Sequence, residues 1–251
     1  MSKIISVHSF RGGTGKSNTT ANIATVLAAQ GYRVGVIDTD IQSPGIHVLF
    51  GLDADTIQYA LNDYLWGKCS IQQTAYDLTS NLDVSLKGRI YLIPSSIKPG
   101  EIARVVREGY DVGLLNDGFH DLIDQLDLDV LAIDTHPGLN EETLLSIAIS
   151  DALAIVLRPD QQDYQGTGVT VKVARKLDVP RMLLVVNNVP AVFPAEEVKK
   201  RVENAYQCPV AAIIPHSQEM MILASEGVFV LRYPNHPITE TFGELAAALL
   251  A

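Results

Sequence analysis

Near its start the chain reads Phe10-Arg11-Gly12-Gly13-Thr14-Gly15-Lys16-Ser17, glycines leading into a lysine and a hydroxyl. Residues of these types at this spacing hold phosphate. Glycines let backbone N–H groups converge on an anion without Cβ obstruction, and a following helix adds its positive dipole end. Lys16 is placed to reach β- and γ-phosphates, and the Ser17 hydroxyl to ligate Mg²⁺. The elements this chemistry demands flank the loop. Ile4, Ile5 and Val7 read as a buried strand before it, and Asn22 to Ala28 as a helix after it.

Carboxylates fall at the ends of two other apolar runs. Val36-Ile37-Asp38-Thr39-Asp40 leaves a strand with two, and Leu131-Ala132-Ile133-Asp134 with one. Asp and Pro44 also favour turns, so Asp38 and Asp40 serve equally well as turn and cap residues on this evidence. An acidic residue at a strand tip beside a phosphate loop suits a Mg²⁺ site, usually through water. Asn187 closes a further strand with an amide that can both donate to and accept from an adenine edge.

The elements follow a βαβα rhythm. Short, fully apolar, β-branched runs at Arg33–Ile37, Ile90–Ile93, Val130–Ile133, Ala152–Leu157, Met182–Val186 and Val210–Ile214 suit strands buried on both faces. Helices are expected at Gly113–Gln125, Glu141–Ile149, Gly168–Leu177, Ala195–Tyr206 and Ile238–Leu250. The alternation predicts an α/β fold, a doubly wound, mostly parallel sheet with helices on both faces. Ligands there bind beyond the carboxyl ends of the strands, where each motif falls. The segment 53–86 breaks the rhythm with a mixed polar helix, Thr56–Trp66, and reads as an elaboration of one domain spanning 1–251.

Composition sets bounds. The 251 residues are 47% hydrophobic and 19% charged, which fits a globular chain and excludes a disordered one. No apolar run approaches the roughly 18–20 residues that span a bilayer. A strand begins almost at once, leaving no room for a secretory signal. Cys69 and Cys208 lack metal or redox spacing and read as reduced thiols of a cytoplasmic protein. The net charge of −10 argues against a basic coat but leaves room for a local basic patch.

The general pattern G-x-x-x-x-G-K-[ST] is broken by Phe10, yet the loop resembles the deviant form K-G-G-x-G-K-[ST] of the MinD/ParA ATPases. Gly12 to Ser17 match, and Arg11 stands where that family carries a lysine that crosses a dimer interface to the partner's ATP. Arginine keeps the charge with a planar, forked head. Asp38-Thr39-Asp40-Ile41-Gln42 resembles the first switch of the family, D-x-D-x-Q, in which the second aspartate orients the attacking water. Asp134-Thr135-His136-Pro137-Gly138 resembles its Walker B and second switch, with His136 where proline is usual. The likeness runs from Lys3 to about Pro215.

It implies a P-loop NTPase of the SIMIBI type using ATP and Mg²⁺. Arg11 through Ser17 and Asn18 would cradle the nucleotide, Asn187 and Pro215 would meet its base, and Ser17, Asp38 and Asp134 would serve the metal. Lys16, Asp40 and Arg11 would carry hydrolysis, within an ATP-bound homodimer that an adaptor protein activates. The cargo positioned would be a DNA partition complex, the division apparatus or a protein-bounded organelle.

Lys172, Arg175, Lys176, Lys199, Lys200 and Arg201 read either as solvated helix faces or as a patch for DNA phosphates, giving nucleoid association. The last helix carries Glu240 and Glu244 and no basic residue, unlike a membrane-surface helix. It is expected to dock on the domain, making direct membrane binding unexpected. Rival readings on the same fold are a non-hydrolysing scaffold, an amidotransferase-like ligase, and an iron–sulfur carrier, which needs paired cysteines.

Overall fold

The computed structural model describes residues 2–80, 82 and 86–251. Met1, and residues 81 and 83–85 of the expected elaboration, lie outside the described residues. The chain opens with β1 (Lys3–His8), α1 (Lys16–Gln30), β2 (Arg33–Asp38), α2 (Ile46–Leu49), α3 (Leu61–Leu65), β3 (Tyr76–Asp77), β4 (Arg89–Ile93), α4 (Pro99–Glu108) and α5 (Val112–Gln125). It continues with β5 (Val130–Asp134), α6 (Glu141–Ala148), β6 (Ala152–Leu157), α7 (Gln161–Lys176), β7 (Arg181–Val189) and α8 (Ala195–Tyr206). It closes with β8 (Val210–Pro215), α9 (Gln218–Leu223), α10 (Phe229–Arg232) and α11 (Pro237–Leu250).

The strands form one sheet in the order β3-β4-β2-β5-β1-β6-β7-β8, parallel except for β3. Successive strand residues alternate between two cores, as period-two geometry requires. Ile5, Val7, Val34, Val36, Val130 and Ala132 pack with α1 and α11 on one face. Ile4, Ile37, Leu131 and Ile133 pack with α5 on the other. Leu153, Ile155, Leu184 and Val186 extend that second layer under α7 and α8. Burial on both faces explains why β6 is apolar throughout, and β5 as far as Ile133.

α11 docks as expected, burying Ile238, Phe242, Leu245, Ala246 and Leu249. Its apolar stripe is filled by this chain's own core. No helix among the described residues is long and apolar enough to cross a membrane. Both cysteines are free thiols.

The expected helix Thr56–Trp66 does not form as one piece. Backbone groups of Tyr59 instead pair with the Tyr76 hydroxyl, and Asp63 caps the Ala60 N–H, so that α3 starts only at Leu61. α7 begins at Gln161, well before the expected Gly168. The Asp160 side chain caps the N–H groups of Gln162 and Asp163 and starts the helix on a polar turn that carries no apolar period. α4 was not expected either: of its residues only Val105 is buried.

Candidate functional site

β1 ends on the midline of the sheet, between β5 and β6, and delivers the loop to the carboxyl edge. Gly13 (φ +77°) and Gly15 (φ +95°) lie in the left-handed region that side chains disfavour. A Cβ on Gly15 would also collide with the Asn187 amide. Gly15 is the N-cap of α1, so no side chain caps this helix, and no acidic residue lies in its first turn. The N-terminal N–H groups are thus left for an external anion.

Lys16 points inward. Its Nζ lies 2.9 Å from Asp134 Oδ1 and 4.0 Å from Asp40 Oδ2, with the side chain 7% exposed. Burial works against its charge, but Asp134, Asp40 and Asp38 outweigh that and raise its pKa. Ser17 and Asn18 follow half-buried on the first turn of α1.

Parallel pairing puts Asp38 and Asp134 side by side at the ends of β2 and β5. Asp38 accepts from the N–H groups of Asp40 (3.0 Å) and Gly45 (3.2 Å). Burial first, then Asp134, pushes its pKa up to about 8 against the pull of Lys16. Asp134 Oδ1 takes Lys16 and the Thr20 hydroxyl (3.3 Å), while its buried Oδ2 has no partner. An orphaned carboxylate oxygen, a crowded neighbour and the Ser17 hydroxyl fit a divalent cation held jointly with phosphate oxygens, the manner in which Mg²⁺ usually binds. Among the described residues there is no group of three or more His, Cys, Asp or Glu that could hold a metal alone.

Asp40 belongs to the same cluster. Its Oδ1 accepts from Ser43 N–H (3.2 Å) and from His136 Nδ1 (2.6 Å). The loop after β5 is anchored in turn, with Gly138 N–H donating to Ser9 O (3.1 Å). At its base, fully buried His8 bonds Thr135 Oγ1 through Nδ1 (2.8 Å). Burial, with Lys16 and His136 adding to it, drives the His8 pKa down to about 3, so the ring is neutral.

Arg11 stands apart from the cradle. Its Nη1 lies 3.3 Å from both Asp160 and Asp163, at the start of α7. Phe10 follows the same path: a Cβ on Gly166 would run into its ring. Nothing in the sequence near Arg11 signals these partners, although Asp160 ahead of a polar turn is itself a cap signal. The Asn187 amide donates to Thr14 O (2.7 Å) and accepts from Asn188 N–H, so it braces the loop. Beside it lies a cleft of 180 Å³ lined by Gly13, Gly15, Pro215, Met220 and Met221.

The basic residues lie on two packed helices. Tyr206 of α8 donates to Tyr164 O of α7, and Arg175 reaches Tyr206 O and Gln207 O. Arg201 sits 5.7 Å from the Tyr164 ring centre. Lys172, Lys176 and Lys200 are exposed, and Lys199 is half-buried.

A glycine cradle on an uncapped helix, one inward lysine and strand-end carboxylates on a parallel sheet define a P-loop NTPase. The profile of the ParA family, described as NUBPL iron-transfer P-loop NTPases, matches residues 1–250, and the chain belongs to this family. ATP and Mg²⁺ are the ligands of such a cradle. An uncharacterized ATP-binding protein of Methanocaldococcus jannaschii is 28% identical over 251 residues, 100% of this chain and 88% of that protein. The fold superposes on the cell division ATPase MinD of Pyrococcus furiosus with TM-score 0.82 at 22% identity, covering 100% of each chain. It matches the septum site-determining protein MinD of Pyrococcus horikoshii, solved with Mg-ADP, with TM-score 0.81 at 21% identity, over 98% and 95% of the chains.

Proposed function

We propose that this chain is an ATP-driven positioning switch, which dimerises around ATP·Mg²⁺, hydrolyses it slowly and releases its cargo contacts on hydrolysis. The observation that carries this reading is the meeting of Lys16, Asp134, Asp38 and Asp40 beneath the uncapped start of α1. Backbone N–H groups from Gly12 to Ser17, with Asn18 behind them, hold the phosphates. Lys16 neutralises charge on the β- and γ-phosphates, and Ser17, Asp38 and Asp134 hold Mg²⁺, which supplies further neutralisation. Asp40 orients the attacking water. Asn187 and Pro215 bound the base cleft.

Arg11 supplies a positive charge to the partner's nucleotide once it exchanges its contacts with Asp160 and Asp163 for that phosphate. The MinD proteins that share the fold are named for cell division and for determining the septum site. For the surface travelled we favour DNA, through Lys172, Arg175, Lys176, Lys199, Lys200 and Arg201, in a cytoplasmic protein that an adaptor activates. The family is also known for iron transfer. Against that role stand the two cysteines: Cys208 is buried, its thiol facing Met182 O, and Cys69 lies on the segment after α3. Phosphate release from Mg·ATP, with Lys16→Ala as the blank, tests the reading. Release that Lys16→Ala leaves undiminished, or stoichiometric iron in the purified protein, argues against it.

A further inference from the structure

The hydrogen bond between His136 Nδ1 and Asp40 Oδ1, 2.6 Å long, joins the loop after β5 to the loop after β2. These are the two segments that flank the phosphate cradle. We propose that His136 is a positioning residue for hydrolysis, fixing the Asp40 carboxylate so that its second oxygen faces the γ-phosphate side. The inference rests on the reading of Asp40 as the water-orienting group.

The atoms divide the work. Asp40 Oδ1 is held by two donors, the Ser43 N–H at 3.2 Å and the His136 ring. Oδ2 accepts from neither, and lies 4.0 Å from Lys16 Nζ. A carboxylate pinned through one oxygen presents the other in a fixed direction, to accept a hydrogen bond from a water in line with the phosphate. Ser43 belongs to a turn on the same loop as Asp40, so its N–H moves with the carboxylate and cannot fix it against the rest of the site. His136 can. Its own backbone carbonyl accepts from Thr143 Oγ1 (3.2 Å) on α6, and Thr135 beside it is bonded to Val7 O and to the buried His8. The imidazole therefore carries the rigidity of β1, β5 and α6 to the Asp40 loop. Proline, usual at this place in the resembling motif, has no side-chain donor.

The experiment is single-turnover hydrolysis of Mg·ATP, with nucleotide affinity measured separately, for His136→Ala, His136→Asn, Asp40→Ala and the double variant. The Asn amide nitrogen falls near the place of Nδ1 and restores the donor. Removing a hydrogen bond to a charged group should slow hydrolysis in His136→Ala by about tenfold or more. ATP affinity should stay within about twofold, because this bond touches no ground-state phosphate contact. His136→Asn should recover most of the rate. The double variant should be no slower than Asp40→Ala, since His136 acts only through Asp40. An unchanged rate in His136→Ala beside a slow Asp40→Ala overturns this inference alone. Equal losses in His136→Ala and His136→Asn also overturn it. If Asp40→Ala hydrolyses normally, the reading of Asp40 itself has failed.

Discussion

Lys16 Nζ and Asp134 Oδ1 lie 2.9 Å apart in the interior of the site, so the lysine proposed to hold phosphate is paired with a strand-end carboxylate. A lysine given to phosphate must loosen this contact. On the proposed reading the carboxylate it leaves would need another cation, a charge that Mg²⁺ held by Ser17, Asp38 and Asp134 would supply. Lysine and metal would be coupled through Asp134.

Lys16→Ala should abolish ATP binding by calorimetry. It should also lower the melting temperature of the nucleotide-free protein, because the buried Asp134 carboxylate then loses its paired cation. Retained affinity would remove Lys16 from the cradle.

Arg11→Ala should keep ATP affinity within about threefold and weaken ATP-dependent dimerisation, because Arg11 bonds Asp160 and Asp163 and not the phosphate loop. Light scattering with calorimetry separates the two effects. Equal loss of nucleotide affinity in Arg11→Ala and Lys16→Ala would contradict the trans assignment.

His8 makes stability pH-dependent. Its folded pKa of about 3 lies below its unfolded value near 6.5, so the unfolded chain binds the extra proton between these values. Its contribution is present above pH 6.5 and is lost as pH falls towards 3, by about 1.4 kcal/mol per pH unit. His8→Gln should flatten that part of the denaturation profile relative to the wild type. Parallel profiles would show that the ring does not stay neutral when folded.

Much of this was legible in the sequence, for definable reasons. Strands buried on both faces must be apolar throughout, so the runs at Ala152–Leu157 and Val130–Ile133 stood out, and the motifs fell at their ends. Partnerships over long sequence separations left no such trace. Nothing local to His136 announces Asp40, and nothing near Arg11 announces Asp163; parallel crossovers bring them together. The start of α7 was hidden because a capped polar turn carries no hydrophobic period. The segment 56–66 misled because a tyrosine hydroxyl from residue 76 took the backbone bonds a helix would need.

DNA binding should require ATP, ignore base sequence and weaken steeply with salt, by about 0.9 in log affinity per log salt for each phosphate contacted. A shift assay on unrelated duplexes checks this. Replacing Lys172, Lys176 and Lys200 with Glu should remove the shift and leave nucleotide affinity intact. An ATP-bound dimer that ignores DNA at low salt, or floats with liposomes, would contradict the assignment.

The central claim, a dimer made by ATP and undone by hydrolysis, is tested most directly by following molecular mass by light scattering after adding Mg·ATP. Wild-type protein should double its mass and return to monomer as ATP is consumed. Asp40→Ala, which keeps every ground-state phosphate contact, should double its mass and stay there. A protein that binds ATP yet remains monomeric throughout, or an Asp40→Ala dimer that decays at the wild-type rate, would contradict the account.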